Sequence, residues 1–477
     1  MAMELIAAGA AWALQRAPSP QKVLGQLGLA SFIAQSSWPE LSSKLSPNAS
    51  VVLPNDPDFS GLVSRWRDWH APQVGAVVTT FTETDVQETL AKDVIVVDIR
   101  GMNDIDIAED GKTATISGGA SVKKVVHELW NANKQTVTGI CECVGISAPI
   151  LGGGHGWLQG QHGLASDQVI SARVILPNGE AVTASEDSHP DLFWALRGAG
   201  HNFGIVTRWE YRIYDVKNPK WSFEIFIFLG DKLEEVLQLT NTMMKTQPPE
   251  MTHWMYIVNV PEIDPDKPII WYAVISDGSV EEAREFAKPL HSIGPINVNS
   301  GAVPMPELAH LTLMSDDTVG CAKGFTGLRY PIGLKNYDLP AVRKVYDSIA
   351  EISHRVPELA GSFFLLEGYS THGVKSFDAD KSAFPHRDDE IVVTSYIRYK
   401  PNATLDTLAQ EHGEKLRGIL LEASDEPEKL KAYVNYAHGV ESLEDMYGYE
   451  PWRIEKLKAL KKKWDPDNRM RFYAPII

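Results

Sequence analysis

Cysteine is scarce in this chain: its 477 residues hold three, Cys141, Cys143 and Cys321. Three cysteines make no disulfide framework, and without a CxxC pair there is no zinc-ligand spacing, so no metal is expected. Long apolar runs are missing too. No stretch reaches the ~18 consecutive apolar residues that a membrane-spanning helix needs. Positive charge is in deficit, with 45 Lys and Arg against 62 Asp and Glu and a formal charge of −17. That balance argues against nucleic acid or an anionic membrane surface as a partner. Phosphate signatures fail as well. No GxxxxGK[ST] loop occurs, and GAGHNFG (198–204) has the spacing GxGxxxG after a helix. A dinucleotide fingerprint needs GxGxxG after a strand.

What is present describes an ordinary globular chain, 44% hydrophobic and 22% charged, long enough for two or three subdomains. The opening MAMELIAAGAAWALQR is a short apolar run with Glu4 where a secretory signal wants a cation. Two glycosylation triplets begin at Asn48 and Asn402, and such triplets also arise by chance. The compartment stays open.

Periodicity predicts a strand at 76–81, a helix at 82–92, a strand at 94–99 and a hairpin over 105–119 turning at Asp110-Gly111. An amphipathic helix follows Ser121, with Val122, Val125, Val126, Leu129 and Trp130 on one face. A second hairpin turns at Asn178-Gly179. After Tyr214 the texture changes to long strands with helices between them (WSFEIFIFL, HWMYIVNV, PIIWYAVIS, SFFLLEGYS, EIVVTSYIRYK), as an antiparallel sheet covered on one face gives. The fold class expected is α+β. His372 and His438 are expected on the surface.

Between these parts lies GICECVGISAPILGGGHGWLQGQHGLASDQV (139–169), dense in glycine. Glycine pays its entropic cost where φ must be positive or the backbone must approach something closely. The segment is therefore either a buried set of tight turns or a cradle for a flat, phosphate-bearing ligand.

In order along the chain come GICECVG, GGGHG, GLASDQV, DLFWALRGAGHNFGIVT, AFPHR, YVNY and KKKWDPDN. This series resembles flavoproteins of the vanillyl-alcohol oxidase type, in particular the berberine-bridge-enzyme-like branch found in fungi, from about residue 40 to the end. The resemblance implies a PCMH-type FAD-binding domain that is discontinuous, built from 40–213 and 440–477, with 214–439 inserted as the substrate domain. It implies FAD held by Cys141, Val144 and Gly145, by Gly152, Gly153, Gly154 and Gly156, and by Gly163, Leu164, Asp167 and Val169. Gly204, Ile205 and Val206 and, near the end, Asn468 complete that set. A β-branched residue at Gly153 or Gly204 is expected to expel the cofactor and leave the substrate half folded.

The activity implied is an oxidase. A hydride leaves a small secondary-metabolite substrate for flavin N5, a base takes the proton, and O2 is the electron acceptor. Tyr396, Tyr433 and Tyr436 are the candidate bases, with Glu367 a weaker one, and Arg398 is a candidate for stabilising a phenolate or enolate. Three other readings stay open: an isomerase or cyclase on the same scaffold, a carbohydrate oxidase, and a catalytically inert binding protein.

The chain departs from the family in one place. Relatives carry a GGH loop, which grips the pyrophosphate and often bonds the flavin, between the first helix and the next strand. Here the helix ending near Lys92 meets the strand at Val94 directly. His155 belongs to the later motif and does not replace it. FAD is therefore expected to bind without a histidyl bond, and weakly. Cys141 occupies the position of a second, thioether link.

Overall fold

The computed structural model describes residues 38–66, 69, 73–90 and 96–477. The N-terminal apolar run and the Lys92–Asp93 junction lie outside the described residues.

The first half is built on a five-stranded antiparallel sheet. Thr113–Ser117 sits between Ile105–Ile107 and Ile205–Arg212, and beyond that come Val169–Ile175 and Ala181–Ser185. The predicted turns at Gly111 and Gly179 have φ of 65° and 85°, which glycine adopts without strain. The predicted helix spans Val122–Asn131, and Ser121 accepts a hydrogen bond from Lys124 N at its start. A smaller sheet pairs Ser50–Val52 with Val77–Thr79, and Val96–Asp98 joins it in parallel. The helix expected over 82–92 is Glu83–Leu90.

The second half is a seven-stranded antiparallel sheet. Its order is Asn297–Val303, Trp221–Phe228, Ile269–Ser276, Met251–Val258, Phe363–Tyr369, Ile391–Tyr399 and Thr326–Leu334. Both edge strands were missed by sequence periodicity. Thr326–Leu334 carries Pro331 and two glycines, a composition an edge strand tolerates. Asn297–Val303 is largely exposed, so it shows no apolar alternation.

Helices Leu233–Met244, Leu339–Arg355 and Asp406–Glu422 cover one face and close an apolar core with Phe226, Met255, Phe364, Leu366, Val393 and Ile397. The other face packs toward the first half. There Trp254, Tyr256, Leu365 and Tyr369 share a core with Val174, Trp209, Tyr447 and Leu457. The C-terminal helix Pro451–Trp464 returns to the first half. Lys461 Nζ donates to Asn202 O at 2.9 Å, Ile476 N to Asn202 Oδ1 at 3.0 Å, and Arg469 to Pro177 O at 2.6 Å.

Two expectations fail here. Cys143 and Cys321 form a disulfide, because the 305–325 loop folds back onto the glycine segment, where Glu142 N also donates to Met314 O. His438 is buried, with Nδ1 3.1 Å from a carboxylate oxygen of the equally buried Glu441. His372 is exposed, as expected.

Candidate active site

Strand alternation decides which side chains face the first half. Along Phe363–Tyr369, Phe364 and Leu366 turn to the helices, while Leu365, Glu367 and Tyr369 have the opposite parity. Along Ile391–Tyr399 and Thr326–Leu334 the same rule sends Val393 and Leu328 to the helices and Tyr396 and Arg329 to the inner face. The register sets Arg329 opposite Tyr396, and Tyr396 opposite Phe363.

Glu367 is the centre of the cluster. Its side chain is 1% exposed; Oε1 accepts from the Tyr436 hydroxyl at 2.7 Å, and Oε2 is buried with no partner. Desolvation raises its pKa to about 7, against the opposing pull of the Tyr436 hydrogen bond, the Arg329 charge and the neighbouring Tyr369 hydroxyl. Arg329 lies 4.1 Å from the Tyr436 ring, 4.9 Å from Trp66 and 5.6 Å from Tyr396. Trp66 stacks on Tyr396 at 5.3 Å and donates its indole N–H to Gly320 O. Cys141, the free cysteine, touches Met314 Sδ at 3.3 Å and has Arg329 and Glu367 as charged neighbours. Burial pushes its thiol up to about 11, so it stays protonated at neutral pH.

Of the predicted catalytic residues, Tyr396, Tyr433 and Tyr436 are brought together here, with Tyr433 and Tyr436 5.0 Å apart. Desolvation raises the Tyr433 hydroxyl to about 12 and Tyr436 well above its ordinary value, the wrong direction for a base at neutral pH. Arg398, two residues along the strand from Tyr396, has that tyrosine as an electrostatic neighbour and lies over the Phe325 ring at 3.6 Å.

The predicted cofactor residues divide. Cys141 borders the cluster. Val144 is tied to the helix after Ser121 through Val122 N, and a Cβ added at Gly145 would only touch Ala120 O at 4.0 Å. At the other glycines the close neighbour is protein. Gly153 and Gly154 have φ of 105° and 88°, and a Cβ on Gly153 would strike the Phe384 ring. Gly152 faces Asn435, Gly156 faces Thr138 O, and Gly163 (φ 83°) faces Phe377 and Asp167. Gly152 N, Gly153 N and Gly163 N donate to Pro149 O, Ile150 O and Gln159 O, so these amides are engaged within the chain.

Gly204 lies against Ile175 O, and Ile205, Val206 and Val169 are ladder residues of the five-stranded sheet. Leu164 N donates to Asp167, whose carboxylate is held bidentately by Arg387 at 2.6 and 2.9 Å, both side chains buried. Asn468 sits at φ 50° in the turn after the last helix, its Oδ1 buried without a partner. His155, neutral with a pKa lowered to about 4 by burial, packs on Tyr433 and bonds Gln159.

Arg329 and Trp66 escaped the sequence reading. The first lies on a strand that Pro331 disguised, and the second lies in a stretch without periodicity. Tyr369 also lines a cavity of about 670 Å³ with Lys245, Lys335, Ser370 and Lys375, which none of the predicted site residues reaches. No helix among the described residues is long and apolar enough to cross a membrane.

Comparison with known proteins places the chain in a family. Residues 76–185 match a family of FAD binding domains. A FAD-linked oxidoreductase of Penicillium rubens is 38% identical, with all of both chains covered; their alignment runs to 506 positions, so it includes positions with no counterpart in the 477 residues here. Among solved structures, berberine-bridge-enzyme-like protein 1 of Physcomitrella patens superimposes with a TM-score of 0.78 at 20% identity, covering 92% of this chain and 98% of that one. The berberine bridge enzyme of Eschscholzia californica gives 0.76 at 17%, covering 91% and 98%. The chain belongs to the FAD-linked oxidoreductases, with the α+β fold of the berberine-bridge-enzyme-like proteins and FAD as its cofactor.

Proposed function

We propose that this enzyme oxidises a small organic molecule at a C–H bond beside a hydroxyl or amine, with O2 as the electron acceptor and Glu367 as the base. The observation that carries the assignment is the buried Glu367 carboxyl, half satisfied by Tyr436 and tuned to about pH 7. A base poised near the working pH combines a useful ionised fraction with a driving force for proton transfer.

What supports a flavin ring beside it is the set of aromatic walls around the free Cys141 thiol, where Glu367 Oε2 is buried without a hydrogen-bond partner. When bound, FAD supplies the hydride acceptor. Glu367 Oε2 receives the proton from the substrate hydroxyl or amine, while Tyr436 keeps Oε1 fixed. Tyr396 and Trp66 offer stacking faces and Arg329 a positive charge. Cys141, held as a neutral thiol, is read as a packing residue, so FAD is bound without covalent attachment. We assign the cofactor to the halves 40–213 and 440–477 and the substrate to 214–439, in keeping with the return of the last helix to Asn202.

The test is a screen of alcohols, phenols, amines and oligosaccharides against the FAD-loaded enzyme, following peroxide and loss of flavin colour. Glu367→Gln should retain FAD and lose turnover by about a hundredfold or more. Product formation without peroxide and without loss of colour would favour the isomerase or cyclase reading instead.

A further inference from the structure

Arg329 places a cation in the site with Glu367 as a charged neighbour but no ion pair to it. Its Nε is buried with no partner, and its guanidinium forms no hydrogen bond or ion pair with a described residue. The rings of Tyr436, Trp66 and Tyr396 lie against it. Such contacts offset part of the desolvation of a guanidinium, yet rings give its N–H fork no acceptor in the plane. The buried Arg387 and Arg417 differ from the half-buried Arg329 in having carboxylates against them. Arg387 has Asp167, and Arg417 has Glu414 and Glu441. Glu367 does not fill the gap, since its bonded oxygen goes to Tyr436 and no ion pair joins it to Arg329.

We infer that Arg329 anchors a carboxylate of the substrate; this rests on the Glu367 reading for where the chemistry occurs. A planar guanidinium fork matches a carboxylate with two parallel hydrogen bonds, which a point charge does not. The stacked pair of Trp66 and Tyr396, 17° from parallel, walls Arg329 with flat aromatic rings. The substrate class is then a planar aromatic or conjugated acid, held by its carboxylate at Arg329, with the oxidisable carbon presented to Glu367.

Calorimetric titration of the FAD-saturated enzyme with benzoate, and with its neutral isostere benzamide, tests the inference. Benzoate should bind about tenfold or more tighter than benzamide. Arg329→Met should erase that preference, and Arg329→Lys should keep part of it. If Arg329→Met does not fold, the lysine variant carries the test: benzoate affinity must fall while benzamide affinity holds, and unchanged benzoate affinity overturns the inference. Equal affinity for the two probes in the unaltered enzyme, no binding of either, or a benzoate preference that survives Arg329→Met also overturns it. Binding is read without turnover, so the two readings fail separately. A benzoate preference with a fully active Glu367→Gln sinks only the base, and an inactive Glu367→Gln without the preference sinks only the anchor.

Discussion

Burial makes Glu367 both a candidate base and a cost to the fold. Its pKa of about 7 lies above the ordinary carboxyl value of 4.5, so the folded chain prefers the protonated form. The stability this group contributes is fully present below pH 4.5 and is lost as pH rises through about 7. Catalysis runs the other way, because a base must be ionised, so turnover should climb with pH through the same range. Thermal melts and pH–rate profiles of the native enzyme and Glu367→Gln check both signs. The Gln variant should melt relatively higher than native above pH 7, and its residual rate should lack the rise. A native rate that is flat between pH 5.5 and 8.5, on the order of one unit either side of that pKa, contradicts the assignment.

At the scale of elements, the glycine turns and the AFPHR segment form one structure. Asp167 caps the turn that begins at Leu164, and Arg387 holds its carboxylate from the other half of the chain. Removing one member of a buried pair leaves an unpaired charge, so Arg387→Met should cost about 3–5 kcal/mol in denaturant unfolding. A loss under about 1 kcal/mol would place the pair in the surface class. Gly153→Val and Gly204→Val should now destabilise the fold as well as the cofactor site. The first forces a β-branched residue to φ 105° against Phe384, and the second drives a side chain into Ile175 O.

The ordered motifs and the two sequence periods made the family, the hairpins and the central strands legible. Spacing shows nothing of pairing across the chain, so the Cys143–Cys321 link and the engagement of Asp167 with Arg387 were invisible. Arg329 was hidden because Pro331 and the glycines at 327 and 333 break the strand pattern that would have given its phase. The burial of Glu367 depends on neighbours from other strands, so the sequence around it does not show it.

On the scale of the whole molecule, the two halves meet over the inner face of the large sheet, which is where the proposed function puts the cofactor. Among the described residues, the amides at Gly152, Gly153 and Gly163, which the resemblance assigned to the cofactor, are engaged within the chain, so the proposal expects weak binding. Each charge-assisted hydrogen bond absent is worth about 1.5–3 kcal/mol. Two or three missing bonds weaken binding by about a thousandfold or more. The most direct measurement is a titration of the purified chain with FAD, followed by acid precipitation of the saturated protein. The account predicts saturable uptake of one flavin per chain, with the yellow colour released wholly into the supernatant. Failure to take up FAD at any concentration, or a yellow pellet that persists in Cys141→Ala, would contradict it.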